Sequence, residues 1–189
     1  MTSMTTTQNK QTGLRTIDMV YIAFFAALMA ICSWISIPAT VPFTMQTFGV
    51  FIAVGILGGR RGTLAVLVYI LLGAIGLPVF AGFSGGLGSL LGSTAGGYII
   101  GFFFSALSMW LIEKTLGKSA PIQIFSMIVG LIVCYAFGTV WFMVVYTSQT
   151  GAVGLLTVLG WCVFPFIIPD LLKIALAFVL SNRLRRFVQ

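Results

Sequence analysis

Asp170 and Lys173 interrupt an otherwise apolar segment, Pro165-Phe-Ile-Ile-Pro169-Asp170-Leu-Leu-Lys173-Ile-Ala-Leu-Ala-Phe-Val-Leu180. A charged side chain inside a membrane costs roughly 2.5–3.5 kcal/mol on insertion scales. Residues three apart on a helix share a face, so the two charges are expected to meet. Pro169 suits a first helical turn, which predicts a helix over 169–184 with Asp170 at the positive end of its dipole. The segment indicates either a functional site or a neutralised structural ion pair.

The composition is that of an integral membrane protein. Of the 189 residues, 59% are hydrophobic and only 7% are charged, and the mean hydropathy is +1.13. Apolar runs of about 20 residues recur, which is the length that spans a bilayer. The sequence has no histidine, and its three cysteines are widely spaced, so neither a metal site nor a disulfide framework is suggested. We predict an all-α membrane protein without a catalytic or metal site.

Six membrane-spanning helices are predicted, at 17–35, 45–57, 63–75, 98–112, 121–146 and 169–184. Residues 1–15 are expected to form a polar, disordered cytoplasmic tail, and residues 16–189 a single domain. A short helix within 153–166 leads into the sixth span, and Arg60-Arg61-Gly62 forms a tight turn. The glycine-rich segment 81–97 follows helix three. At membrane depth, such irregular backbone must line a cavity or be buried in protein.

Positive charge segregates to one end of this predicted bundle. Nine of the ten Lys and Arg residues lie in the N-terminal tail, at 60–61, at 114–118 and near the C-terminus, and the exception is Lys173. The opposite connections, near 36–44, 81–97 and 147–152, carry no charged residue. The positive-inside rule predicts that both termini are cytoplasmic and that the glycine-rich loop faces outward. This placement of charge favours a membrane protein over a nucleic-acid-binding one.

Three features converge on the outer side: Asp170, the proline-bounded loop 36–44 and the glycine-rich loop. An acid, a base, amides and hydroxyls there suit a small ligand with N–H donors and an acidic group. Aromatic side chains are candidate walls, although packing or an interfacial belt is the alternative for each; they are Trp34, Phe43, Phe80, Phe83 and Tyr98. The glycine-rich segment is not a P-loop, because no lysine lies between Arg61 and Lys114 to complete that motif. Any energy from ATP must therefore come from another protein.

Five motifs stand in the sequence in a characteristic order. They are Pro42-Phe-Thr-Met-Gln46-Thr-Phe-Gly49, Gly58-Gly-Arg60-Arg61-Gly62, Leu72-Gly-Ala-Ile-Gly-Leu-Pro78-Val-Phe-Ala81-Gly82, Gly96-Gly97-Tyr98-Ile-Ile-Gly101-Phe and Pro169-Asp170-Leu-Leu-Lys173. As a set, covering nearly the whole chain, they resemble the BioY family. Members of that family are the biotin-binding S components of energy-coupling factor (ECF) transporters.

The resemblance implies a six-helix fold in a prokaryotic cytoplasmic membrane that captures biotin from outside. The implied partners are a transmembrane coupling protein and two cytoplasmic ATPase subunits, which use the ATP; no cofactor is expected in this chain. In the family, the acid and the lysine of the last motif belong to the substrate pocket, and here they are Asp170 and Lys173. The first helix is the family's coupling surface, and the residues that match its small-residue pattern are Ala23, Ala26, Ala27 and Ala30.

Some family members carry a polar amide in the glycine-rich loop. Here Ser84, the backbone or Gln46 remain open for that contact, and which end of the ligand Lys173 serves is also open. The candidate substrate-binding residues are Asp170, Lys173, Gln46, Thr44, Phe43, Phe80, Gly82, Ser84 and Tyr98.

Other functions stay open at this point. An S component for a different vitamin would share the fold and partners but not the first and last motifs. A small integral-membrane enzyme is disfavoured because histidine and a carboxylate cluster are lacking. An oligomeric channel would show repeated polar helix faces, which the sequence does not.

Overall fold

The structure, a computed structural model, describes residues 14–39 and 41–188. Within these ranges the chain forms eight α-helices and one short β-hairpin. Of the predicted tail at 1–15, all but Leu14 and Arg15 lies outside the described residues. The helices are α1 Thr16–Trp34, α2 Gln46–Leu57, α3 Gly59–Ala74, α4 Gly86–Leu91, α5 Gly96–Leu116, α6 Ala120–Gln149, α7 Leu155–Cys162 and α8 Phe164–Val188.

Four of the described helices are long and apolar enough to cross a membrane: α1, α5, α6 and α8. The other two predicted spans are shorter, with 12 residues in α2 and 16 in α3. At 1.5 Å per residue they are about 18 Å and 24 Å long, less than the hydrocarbon core of a bilayer. The architecture is that of an all-helical, multi-pass membrane protein with helices of unequal length.

The short helix α2 lies inside the bundle, and ten of its 12 residues are buried. Glycines on α2 allow its neighbours to approach closely. A Cβ added at Gly55 would overlap the hydroxyl of Ser181 on α8, and one at Gly49 would lie 3.0 Å from Cγ of Met29 on α1. Val50, which directly follows Gly49 on α2, is only 1% exposed. The hydrophobic core is therefore built around α2.

Ion pairs tie the helix ends together at one end of the bundle. Arg61 in the first turn of α3 pairs with Asp18 in the first turn of α1 at 3.2 Å. Glu113 near the end of α5 pairs with Lys118 at 3.0 Å and accepts a 2.6 Å hydrogen bond from the backbone N–H of Gly59. The basic ends of the helices thus gather on one side, as the charge pattern indicates.

The predicted turn at Arg60-Arg61-Gly62 is wrong, because α3 begins at Gly59 and includes these residues. Its N-terminal backbone N–H is satisfied by the Glu113 carboxylate, which also complements the positive end of the helix. Gly58, with φ of 82°, makes the reversal from α2 instead. A partner 54 residues away therefore supplies the cap, which no local pattern reveals.

The start of the last helix also differs from the prediction. The short helix expected within 153–166 is present as α7, but α8 begins at Phe164 rather than Pro169. Pro165 occupies the first turn, where a missing N–H costs nothing. Pro169 lies inside the helix and cannot donate to the carbonyl of Pro165. Asp170 is therefore the seventh residue of α8 and does not lie in its first turn.

The opposite end of the bundle is covered by the two predicted loops. The first closes as an antiparallel hairpin of β1 Ser36–Ile37 and β2 Phe43–Thr44. The second contains a 3-10 turn at Ala81–Phe83, in which Gly82 has φ of 65°, and then α4. Indole N–H groups fix this second loop and the residues just before it: Trp141 donates to the carbonyl of Ser93 at 3.2 Å and Trp34 to that of Pro78 at 2.9 Å. Residues of both loops line the cavity at this end of the bundle.

Candidate ligand-binding site

The two charges of α8 meet as their spacing predicts. Nζ of Lys173 lies 2.7 Å from Oδ1 of Asp170, and the residues are 5% and 2% exposed. The helix dipole does not stabilise this carboxylate, since Asp170 lies well inside α8. Side chains perform that role: Thr47 of α2 donates to Oδ1 at 3.0 Å, and Tyr135 of α6 donates to Oδ2 at 2.5 Å. Three helices therefore converge on one buried carboxylate.

Lys173 uses all three of its N–H donors within the protein. Besides the Asp170 carboxylate, Nζ donates to the backbone carbonyl of Thr44 at 2.6 Å and to the hydroxyl of Thr47 at 3.2 Å. The ring of Phe43 covers the ammonium group, with its centroid 4.2 Å from Nζ. An ammonium group has three donors and no acceptor. Lys173 therefore fastens α8 to the residues that precede α2 and holds Asp170 in place.

A second polar network stands beside this pair. Gln46 accepts a 2.9 Å hydrogen bond from the hydroxyl of Thr44 and donates Nε2 to the hydroxyl of Tyr69 at 2.5 Å. Tyr69 in turn donates to the carbonyl of Val79 at 3.0 Å, and Ser33 donates to the same carbonyl at 2.6 Å. The network connects α1, α2 and α3 to the loop that follows α3. It orients Gln46, whose amide has a second N–H.

These groups border a cavity of about 400 Å³, within the roughly 300–1,000 Å³ typical of small-molecule sites. The hairpin loop contributes Ala39, Val41 and Pro42, and Phe80 and Ser84 come from the loop after α3. Most of the wall is apolar or aromatic, and the polar groups lie in two regions. One contains Asp170, Lys173, Gln46, Thr44, Thr47 and Tyr135; the other contains Ser84, Ser89, Ser93 and Thr94.

Seven of the nine predicted binding residues line this cavity: Asp170, Lys173, Gln46, Thr44, Phe80, Ser84 and Tyr98. The other two, Phe43 and Gly82, are not among the residues that line it. Phe43 stands behind Lys173 and packs on the lining residue Phe166, with ring centroids 5.7 Å apart. Trp34 and Phe83, the remaining candidate walls, stack on each other at 5.0 Å and also lie outside the lining.

Sequence reasoning missed several groups that border the cavity. Tyr135 lies in the middle of the apolar helix α6, where the pattern does not reveal which face points inward. Thr47 directly follows Gln46 in the first motif, and that position is the one sequence signal that points to it. Cys134 and Cys162 border the cavity from α6 and α7, and Phe166 does so from the first turn of α8.

The four alanines of the predicted coupling surface do not share one environment. Ala26 and Ala30 are 1% and 6% exposed and pack inside the protein, whereas Ala23 and Ala27 are exposed. The two small-residue pairs occupy adjacent strips of α1, and one pair is exposed whereas the other is buried. Of these four alanines, only Ala23 and Ala27 are exposed on the surface of the chain.

Comparisons with known proteins all match this chain to the BioY family. The sequence model of the BioY family matches residues 4–189. A relative from Thermotoga maritima, "Biotin transporter BioY", is 39% identical over 172 residues, covering 89% of this chain and 96% of the relative. Another of the same name, from Rhodobacter capsulatus, is 34% identical over 181 residues, covering 90% and 94%.

A solved structure, the S component for biotin from an ECF-type ABC transporter, has the same fold. Its TM-score is 0.79 at 31% identity, and the match covers 89% of this chain and 90% of that one. The sequence identity, over nearly the whole length of both chains, shows membership of the same family and not only a shared fold. This chain belongs to the BioY family.

Proposed function

We propose that this chain is the biotin-binding membrane subunit, or S component, of an ECF-type, ATP-driven vitamin importer. The observation that carries the proposal is a cavity bordered by the buried Asp170 carboxylate, in a chain that belongs to the BioY family. The relatives are named as transporters, which disfavours the membrane-enzyme alternative.

The polar groups of the cavity suit the ureido ring of biotin, which offers two N–H donors and one carbonyl. Asp170 supplies an acceptor for an N–H, and the second N–H of Gln46 supplies a donor for the carbonyl. The thiophane ring and the alkyl chain suit the apolar walls, which include Phe80 and Phe102. Lys173 acts by positioning Asp170, because its donors are taken.

The biotin carboxylate would then extend away from Asp170, toward the hydroxyl groups of the glycine-rich loop. Ser84, Ser89 and Ser93 each donate their hydroxyl to a backbone carbonyl of that loop. Thr94 has no such bond within the described residues, so its hydroxyl is available to the ligand. This arrangement separates the two like charges, the ligand carboxylate and Asp170, along the length of the cavity.

In the proposed topology, six helices lie in the prokaryotic cytoplasmic membrane, with α2 and α3 as short spans and both termini in the cytoplasm. The cavity then opens outward beneath the hairpin and the glycine-rich loop. The proposed partners are a transmembrane coupling protein and two cytoplasmic ATPase subunits, which supply the ATP-driven step. We assign the docking surface to the face of α1 that bears Ala23 and Ala27, because these two alanines are exposed.

Titration of the purified, detergent-solubilised protein with biotin and with a panel of other vitamins tests the proposal. We expect saturable, one-to-one binding of biotin and no comparable binding of vitamins that lack a cyclic urea. Tight binding of a different vitamin would replace biotin as the ligand and leave the S-component assignment standing. Binding of none of them would overturn the ligand assignment.

A further inference from the structure

We propose that Tyr135 is a specificity-determining residue of this site. By donating its hydroxyl to Oδ2 of Asp170, it leaves one acceptor position on that carboxylate for a ligand. The site then favours a ring edge that presents one N–H beside a carbonyl over an edge that presents two adjacent N–H groups. This inference rests on the proposed function and adds a determinant of ligand choice to it.

The argument begins with the acceptor capacity of Asp170. An ionised carboxylate offers about four lone-pair sites, two on each oxygen. Oδ1 uses both, because it accepts from Nζ of Lys173 at 2.7 Å and from Oγ1 of Thr47 at 3.0 Å. Oδ2 uses one, for the hydroxyl of Tyr135 at 2.5 Å. One site remains, on the oxygen that Tyr135 already contacts.

The position of Tyr135 makes this hydrogen bond relevant to the ligand. Tyr135 and Asp170 both border the cavity, one from α6 and the other from α8. Asp170 is 2% exposed, so water does not compete freely for the remaining lone pair. Three side chains donate to this carboxylate among the described residues. Thr47 belongs to α2 and Lys173 to α8, and Tyr135 is the donor from α6.

Biotin and 2-iminobiotin differ in the number of acceptor sites that they need on the Asp170 carboxylate. Each edge of the biotin ureido ring pairs one N–H with the carbonyl, so it needs one acceptor and one donor from the protein. In 2-iminobiotin, which is a guanidinium cation at neutral pH, an N–H group replaces the carbonyl oxygen, and each edge of the ring presents two adjacent N–H donors that need two acceptor sites on the carboxylate. The single site left by Tyr135 suits the first pattern and not the second.

The test is calorimetric titration of Tyr135→Phe with both ligands. The variant keeps the ring and frees a second acceptor site on Oδ2, so we expect the preference to shift toward 2-iminobiotin by about tenfold, the change that about 1.4 kcal/mol produces. Tyr146→Phe is the control: the same substitution on the same helix, at a ring that stacks on Phe142 outside the cavity. It is expected to leave both affinities unchanged.

If the ratio of the affinities for biotin and 2-iminobiotin is the same in Tyr135→Phe as in the wild type, the inference is overturned, even where both affinities fall equally. Binding of biotin by the wild-type protein would then leave the proposed function intact. Failure of the wild-type protein to bind biotin overturns both. If Tyr135→Phe does not fold, Thr47→Val provides the decision, because it frees an acceptor site on Oδ1 of the same carboxylate. The same shift is expected there, and its absence contradicts the proposal.

Discussion

Nζ of Lys173 lies 2.7 Å from Oδ1 of Asp170, and neither side chain is more than 6% exposed. The pair is surrounded by hydrogen-bond partners from α2 and α6, so the charges are compensated without solvent. A buried ion pair of this kind contributes little net stability, but removal of one partner leaves an uncompensated charge. Substitution of one residue is therefore expected to lower the stability more than substitution of both.

Lys173→Met should destabilise the protein by about 3–5 kcal/mol, because the Asp170 carboxylate stays buried without its cation. The double variant Lys173→Met/Asp170→Asn removes both charges and should recover a large part of that loss. Thermal unfolding of the purified proteins in one detergent measures both effects. Additive destabilisation in the double variant would show that the two charges do not interact as the geometry indicates.

Asp170→Asn should weaken biotin binding at least tenfold. The amide keeps the shape but replaces an ionised acceptor with a group that also presents N–H donors, and hydrogen bonds to charged groups contribute about 1.5–3 kcal/mol. The variant loses stability because the Lys173 charge is left uncompensated, but it should still fold, since Lys173 retains the carbonyl of Thr44 and the ring of Phe43. Asp170→Ala should bind more weakly still, because it also leaves Lys173 without its neighbour.

Calorimetric titration measures the effect of Asp170→Asn. The matched control is Glu113→Gln, an acid-to-amide change at the other end of the bundle, which should leave the affinity for biotin unchanged. Wild-type affinity in folded Asp170→Asn would reduce this carboxylate to a structural partner of Lys173.

The sequence predicted the contact between Asp170 and Lys173 because a spacing of three residues fixes a shared helix face, whatever the exact start of the helix. The start itself was wrong, since Pro165 and Pro169 both suit a first turn and no local rule decides between them. The choice of Pro165 moves Asp170 away from the helix terminus and leaves its stabilisation to Thr47 and Tyr135.

Long-range partners explain the other differences. Tyr135 meets Asp170 across 35 residues, and Glu113 caps α3 across 54, so neither contact has a local signature. The alanines of α1 show the same limit. Their spacing predicted two small-residue pairs, but only the packing of the neighbouring helices determines that Ala26 is buried and Ala27 is exposed.

Gly55→Ala should lower the stability by about 1–3 kcal/mol, the usual cost of overpacking a well-packed interior. The added methyl group would overlap the hydroxyl of Ser181 and force α2 and α8 apart. Gly160→Ala in α7 is the control, because a Cβ there meets nothing within 4 Å. Gly160→Ala should preserve or slightly raise the melting temperature, since alanine is the better helix former. Equal melting temperatures for the two variants would contradict the close packing at Gly55.

The proposed orientation predicts the accessibility of two introduced cysteines. Thr150, at the end of α6, is expected outside the cell, and Thr115, at the end of α5, is expected in the cytoplasm; both positions are exposed. Intact cells that carry Thr150→Cys should react with a membrane-impermeant maleimide, and cells that carry Thr115→Cys should react only after lysis. The native cysteines are buried, so they give little background. Labelling of Thr115→Cys alone in intact cells would reverse the orientation.

Ala27→Trp should block assembly with the coupling protein and leave biotin binding unchanged. Ala27 is exposed on α1, and it does not border the cavity, so a bulky side chain there alters the outer surface alone. Small residues allow helices to approach closely, and an indole ring would hold a partner helix away. Val140→Trp is the control, because Val140 is 64% exposed on α6, away from the proposed docking face.

Co-purification with the partner subunits and titration with biotin should be measured on the same preparations. Loss of assembly in Ala27→Trp but not in Val140→Trp is the expected result, whereas intact co-purification combined with lost biotin binding would exclude this face of α1 as the docking surface.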